Sequence, residues 1–222
     1  MLTAVLGVGA ATALTAASAE IYEAMAERDG LSRIDEPVLA WMIERRTPWL
    51  NHAITVFTDI GGPLWMTVVT MVCTVAIVIW RHTWTPLVLM SIAAAGTIAM
   101  SRVGKGIIGR VRPAHEDAVP PFETSPAFPS GHTLSATVLV GLLAYLVLPA
   151  LSSRRVRLAL IAATVCWIVA MGLSRVYLGH HWVTDVAVGW TLGAAWLAFL
   201  ITTHRVGPAL RWPRFLDRST SG

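Results

Sequence analysis

The chain has 222 residues, 55% of them hydrophobic and only 14% charged, with a mean hydropathy of +0.62 and a formal net charge of +4. That balance excludes an ordinary water-soluble domain, and no basic run interleaved with aromatics offers a grip on nucleic acid. The composition points to a single all-α membrane domain over residues 1–222.

Crossing a hydrocarbon core takes about 17 to 25 largely uncharged residues, and six segments qualify. They are 2–18, 63–80, 84–101, 133–151, 158–174 and 184–203. Several are short, so each is expected to borrow a turn from its flanks. The first ends in Ala17-Ser18-Ala19, a small-residue pattern shared with leader cleavage sites, but no Lys or Arg precedes the apolar run as a leader requires. Residues 20–62 form the longest stretch outside the spans and read as an extracytoplasmic loop. Within it, 37–43 and 49–57 have the pattern of short amphipathic helices lying along the interface. Asp59-Ile-Gly-Gly-Pro63 then breaks the chain before the second span.

Positive charge accumulates on the cytoplasmic side of membrane proteins. One set of connections plus the tail holds Arg81, Arg154, Arg155, Arg157, Arg205, Arg211, Arg214 and Arg218 against a single acid, Asp217. That side carries +7 and the other −3, which together make the chain's +4. Both termini are therefore expected in the cytoplasm of a multi-pass cell-membrane protein. Trp80 and Trp84 on one side, and Trp49, Trp65 and Trp182 on the other, fit the indole belts of a bilayer. Cys73 and Cys166 fall inside apolar runs and are expected as small buried residues, not as a disulfide or metal pair.

Three polar segments stand at span ends on the outward side. In the first, Lys105 and Arg112 are seven residues apart, which places both on one face of a helix continuing past the third span. Charges at that depth cost about 2.5 to 3.5 kcal/mol each at the bilayer centre, so they call for an interface and a counter-ion. Arg102 and Arg110 nearby read as side chains that snorkel to the headgroups. In the second segment, Ser130 and Gly131 stand at the start of the fourth span, where free backbone N–H groups and the helix dipole favour an anion, with His132 beside them. In the third, Arg175 closes the fifth span, and His181 and Asp185 are spaced i, i+4 at the start of the sixth. The carboxylate can then hold the ring through Nδ1–H and leave Nε2 as nucleophile or base. His180 reads as an ordinary polar neighbour. His132, His181 and Asp185 would also make a two-histidine, one-carboxylate metal set, but the clustered cations favour an anion over a divalent ion.

Taken in order, K-x6-R-P, P-S-G-H and S-R-x5-H-x3-D resemble the three-part signature of the type-2 phosphatidic acid phosphatase superfamily. Lys105, Arg112, Pro113, Pro129, Ser130, Gly131, His132, Ser174, Arg175, His181 and Asp185 fill every defining position. The similarity runs over about residues 37–203 and takes in Thr58-Asp-Ile-Gly61. It implies a six-helix membrane phosphatase with an outward-facing site, no metal and no cofactor. It also implies roles: His181 as nucleophile, Asp185 as its partner and His132 as proton donor to the leaving oxygen. Lys105, Arg112, Ser130, Gly131 and Arg175 would then hold the phosphoryl oxygens. The implied substrates are lipid phosphates in the bilayer: phosphatidate, lysophosphatidate, phosphatidylglycerol phosphate or a polyprenyl diphosphate. Soluble vanadium haloperoxidases share the pocket but not the spans. A lipid phosphotransferase and a non-catalytic lipid-phosphate binding or scrambling protein are the alternatives. The loop from Ala114 to Phe128, with His115, Glu116, Asp117 and Glu123, overhangs the site, either to screen headgroups or as a solvated loop.

Overall fold

A computed structural model describes residues 2–27 and 29–207, and every regular element among them is helical. In chain order these are α1 (Leu2–Glu27), a 3₁₀ turn (Gly30–Ile34), α2 (Asp35–Ile43), α3 (Pro48–Ile60), α4 (Pro63–Arg81) and α5 (Thr85–Ile108). After a long loop come α6 (Gly131–Ser135), a π turn (Ala136–Val140), α7 (Gly141–Val147), α8 (Arg154–Tyr177) and α9 (Val183–Val206). Five helical rods are long and apolar enough to cross a membrane: Ala4–Glu27, Thr85–Ile108, Gly131–Ala150, Arg154–Tyr177 and Val183–Val206. The third of these is α6, the π turn and α7 run together. α4 contributes the shorter apolar segment Val68–Arg81.

All six expected segments are helical, five of them long and apolar enough to cross a membrane, and α1 continues to Glu27, past its expected end at 18. Glu20, Glu23, Met25 and their neighbours favour helix, and no glycine or proline interrupts them before Gly30. The connection to α4 is correspondingly shorter than 20–62. The two short helices expected within 37–43 and 49–57 appear as α2 and α3, and Gly62 and Pro63 start α4 as N-cap and first-turn proline. Arg211, Arg214, Asp217 and Arg218 lie outside the described residues.

Apolar side chains on the outer faces, such as Val72 and Ile79 of α4, are 62% and 65% exposed, as expected for a surface solvated by lipid. Cys73 and Cys166 are free thiols, and Cys166 is exposed on such a face instead of buried, because α8 lies at the periphery. The rod from Gly131 to Ala150 is the core. Leu134, Ala136, Val138 and Leu142 are wholly buried, and Val138 and Leu142 pack with Met66, Leu89, Met90, Ala93 and Leu200 from α4, α5 and α9. At the motif end, Phe128 packs with Ile21 of α1 and Val188 of α9, which fixes the segment entering the P-S-G-H motif.

Lipid offers no hydrophobic drive between spans, so close approach through small residues has to supply the packing. Gly189-x3-Gly193 on α9 does this against α6 and the π turn. A Cβ at Gly189 would lie 2.9 Å from Cβ of Thr133, and one at Gly193 2.8 Å from Cβ of Thr137. This contact sets the spacing between the second and third motifs. Gly193→Leu is expected to push α9 off the π turn, destabilising the fold by about 1–3 kcal/mol and lowering activity. Thermal unfolding in detergent with no loss of midpoint would contradict this packing role.

Candidate active site

α5 ends at Ile108 because Gly109 takes the left-handed conformation (φ 58°) and caps it, its N–H reaching the Lys105 carbonyl. Lys105 and Arg112 are therefore not on one continuous helix face. Lys105 stays on the last turn of α5, while the chain doubles back and delivers Arg112 from a loop. Both still converge on the loop ahead of the second motif. Lys105 Nζ donates to Ser125 Oγ (2.8 Å) and the Pro126 carbonyl (2.7 Å), and Arg112 Nε donates to the Ser125 carbonyl (2.6 Å).

Ser130 is the N-cap of α6, as its position in sequence suggests, yet its side chain makes no capping bond. It is fully buried and its Oγ accepts from Thr133 Oγ1 at 2.9 Å. Its N–H reaches the Asp185 carbonyl (3.2 Å), tying the second motif to the third. Gly131 and His132 follow and line a cavity of ≈ 470 Å³ with Lys105, Ser125 and His181.

His181 sits just ahead of α9 and is 1% exposed. Burial, then the charges of Arg112 and Arg175, hold its pKa well below the ordinary histidine value, so the ring is neutral. Its Nε2 lies 3.2 Å from Arg112 Nη1. Arginine can only donate, so Nε2 carries the lone pair and the proton is on Nδ1. Nδ1 faces Asp185 Oδ2 at 3.5 Å, an ion-pair distance without hydrogen-bond geometry. The ring and carboxylate are thus adjacent as expected but not hydrogen-bonded. Asp185 Oδ2 instead accepts the Trp182 N–H at 2.9 Å.

Arg175, 2% exposed, comes from the last turn of α8 and donates from Nη1 to Thr58 Oγ1 on α3 (3.1 Å). Ser174 Oγ donates to the same hydroxyl at 3.2 Å. The structure therefore brings the eight expected site residues to one end of the bundle, around the mouth of the cavity. Among the described residues, no three or more histidine, cysteine or carboxylate groups are arranged to hold a metal ion.

Residues 83–207 match the family model described as the PAP2 superfamily, a stretch that contains all eight. The chain belongs to the PAP2 superfamily. Phosphatidylglycerophosphatase B of Bacillus subtilis (strain 168) is 32% identical over 184 residues, covering 82% of this chain and 88% of that protein. Undecaprenyl-diphosphatase of Sulfolobus acidocaldarius is 28% identical over 146 residues, 61% of this chain and 63% of that protein. The crystal structure of a transmembrane PAP2-type phosphatidylglycerolphosphate phosphatase from Bacillus subtilis superposes with a TM-score of 0.79 at 28% identity, over 92% of this chain and 98% of the other. Aquifex aeolicus LpxE shares the fold, with a TM-score of 0.57 at 20% identity over 76% and 94% of the two chains.

This PAP2 site also contains groups that the sequence motifs do not mark. Arg110 does not snorkel to the headgroups. Its Nη1 donates to Asp185 Oδ1 (2.5 Å) and Thr184 Oγ1 (2.7 Å), and its Nη2 to Asp35 Oδ2 (2.7 Å). With Gly109 ending the helix, the side chain turns inward to two carboxylates that would otherwise be buried without a counter-charge. Arg102 is exposed at the cavity rim. His180 is a strut: its Nε2 donates to the Val119 carbonyl (2.7 Å), and burial followed by Arg175 pushes its pKa to about 4. Gly179 has φ 72°, and a Cβ there would lie 2.2 Å from the Asp117 carbonyl oxygen, so the 114–128 loop can seat only against a glycine. Arg46 clamps the same seam, donating to the carbonyls of Tyr177 (2.9 Å from Nε) and Asp117 (2.7 Å from Nη1).

The loop is thus docked and not merely solvated, and it places Glu123 among the site cations. Glu123 Oε2 accepts from Arg112 Nη2 at 2.8 Å, and Oε1 pairs with Arg175 Nη2. Burial alone would raise its pKa, but Arg175 and Arg112 outweigh it and hold the carboxyl at about 2. A carboxylate bridging both arginines would compete with any anion that binds them. Glu123→Gln leaves the arginines without a charged partner, so inorganic phosphate is expected to inhibit turnover with a constant roughly three- to tenfold lower. Since the carboxyl stays ionised far below neutrality, the ratio to wild type should be flat between about pH 5 and 8. An unchanged inhibition constant would remove Glu123 from competition with the anion.

Proposed function

We propose that this chain is a membrane lipid phosphatase that releases inorganic phosphate through a phosphohistidine on His181, without a metal. The observation that carries this reading is the placement of His181 at the ≈ 470 Å³ cavity, its Nε2 3.2 Å from Arg112 Nη1 and across the cavity from His132. In the first step Nε2 attacks phosphorus, the P–N bond forms and the bond to the lipid oxygen breaks. His132, across the cavity, gives its proton to the departing oxygen. In the second, His132 takes a proton from water, the hydroxide adds to phosphorus and the P–N bond breaks, returning neutral His181. Lys105, Arg112, Arg175, Ser130 and the Gly131 amide stabilise the non-bridging oxygens, the contribution that dominates phosphoryl transfer. Asp185 stabilises the positive charge that develops on the imidazole.

A lipid carrier of the phosphate is supported by the cavity wall. Below the polar mouth it is lined by Met66, Ala94, Ile98 and Leu139, which suit an acyl or prenyl chain. Phosphatidylglycerol phosphate and a polyprenyl diphosphate are the substrates to which the relatives' names direct attention. The basic ends of α4, α8 and α9 support a topology in which α4 is a sixth span, both termini are cytoplasmic and the site is outside.

The test is phosphate release by purified protein in excess EDTA from these two lipids and phosphatidate. Release should survive the chelator, and a labelled phosphoenzyme should be acid-labile and stable to alkali. His181→Ala should abolish both, with a rate loss on the order of 10³ or more. His132→Ala should hurt the monoester more than the diphosphate, since phosphate leaves more readily than an alkoxide without a proton. Wild-type turnover by a folded His181→Ala protein would refute the mechanism.

A further inference from the structure

The eight motif residues leave Asp35 unexplained. It opens α2, outside the 83–207 family match, and yet is 3% exposed and bonded to Thr184 in the third motif and Arg110 in the first. Its Oδ1 accepts the Thr184 N–H (2.9 Å), and its Oδ2 accepts from Thr184 Oγ1 (2.7 Å) and Arg110 Nη2 (2.7 Å). Through the two Arg110 nitrogens it forms a chain, Asp35 to Arg110 to Asp185, ending 3.5 Å from His181 Nδ1.

Charge gives this chain a purpose. Arg110 lies 2.5 Å from Asp185 Oδ1, and a pair so close in a buried pocket is nearly neutral when seen from the imidazole. A neutral pair could not stabilise the cation that forms when His181 takes a phosphoryl group. With Asp35 engaging the second nitrogen, the three groups together carry one net negative charge, and it faces Nδ1. His181 otherwise faces Arg112, Arg175, Lys105 and Glu123, the first three of which oppose a charged ring. We propose that Asp35, acting through Arg110, is a positioning residue for His181. It fixes the Asp185 carboxylate and keeps its side of the ring net negative. The N-terminal segment is then part of the active site and not only a membrane anchor. This inference rests on His181 being the nucleophile.

The experiment uses the full chain in detergent, comparing Asp35→Asn, Asp35→Glu and His181→Ala with phosphatidate as probe. Asp35→Asn is nearly isosteric and keeps hydrogen-bonding capacity. It should lower kcat by about tenfold or more with KM within about threefold, and move the acid limb of kcat/KM to lower pH, because the ring becomes less basic. The rate of phosphoenzyme formation should fall in parallel. Asp35→Glu restores the charge and should recover part of kcat and the wild-type limb. A purely architectural role would lower thermal stability and the amount of active protein without moving the limb, and that result overturns the proposal. So does wild-type kcat in Asp35→Asn. If His181→Ala itself turns over normally, the nucleophile assignment has failed, an outcome separable from any result at Asp35.

Discussion

Charge compensation at low dielectric is the constraint on which the rest of the structure depends. Lys105, Arg110, Arg112 and Arg175 crowd the ends of helices in a bundle built for lipid, and unpaired charges there are too costly to retain. The fold answers with three carboxylates. Asp35 and Asp185 share Arg110, and Glu123 bridges Arg112 and Arg175. Apart from the histidines, the empty pocket carries one net positive charge. Exchange of Glu123 for a dianionic phosphoryl group brings it to neutrality, so the pocket is biased towards phosphate without storing a large excess of charge.

That balance requires three distant segments to arrive at one point, and the helices arrange this by close approach. Gly189 and Gly193 bring α9 against Thr133 and Thr137, where the π turn widens the helix, and the Ser130 N–H reaches across to the Asp185 carbonyl. The loop carrying Glu123 is held at its base by Arg46, His180 and the Val119 N–H, which reaches the Leu178 carbonyl at 2.8 Å. Arg46 and the Val119 N–H satisfy the Tyr177 and Leu178 carbonyls left open at the C-terminus of α8, while Arg46 and His180 also hold the loop's own Asp117 and Val119 carbonyls.

Much of this was legible in the sequence, for physical reasons that also mark where legibility ends. Spans are written in runs of apolar residues, and the motif residues are written as charges that lipid would not otherwise tolerate. Spacing along a helix misled at Lys105 and Arg112, because Gly109 ends α5 between them, and the same glycine turns Arg110 from the interface to the interior. Glu123 and Asp35 carry no local signal. One is an acid in a polar loop and the other an acid in a charged amphipathic segment, and each acquires meaning only from cations that tertiary structure brings to it. Thr58 is intermediate: its neighbourhood resembles the family, but its contact with Arg175 comes from the docking of α3 on α8.

The shape of the cavity joins the chemistry to the membrane. A site for a free, water-borne phosphate ester needs polar walls throughout. Here the charged groups gather at the mouth, with Arg102 exposed at the rim, and the remainder of the wall combines Met66, Ala94, Ile98 and Leu139 with the uncharged hydroxyl residues Thr97, Ser101 and Ser135. An amphiphile entering from the bilayer would lose little hydration from its chain and would meet cations only at its headgroup. Lysine and arginine side chains at that depth can reach the headgroup layer, so substrate capture and charge accommodation are met by the same residues. On the proposed mechanism, the cost of keeping cations at the edge of lipid would be offset by the anion they receive, and Glu123, paired with Arg112 and Arg175, would neutralise them between turnovers.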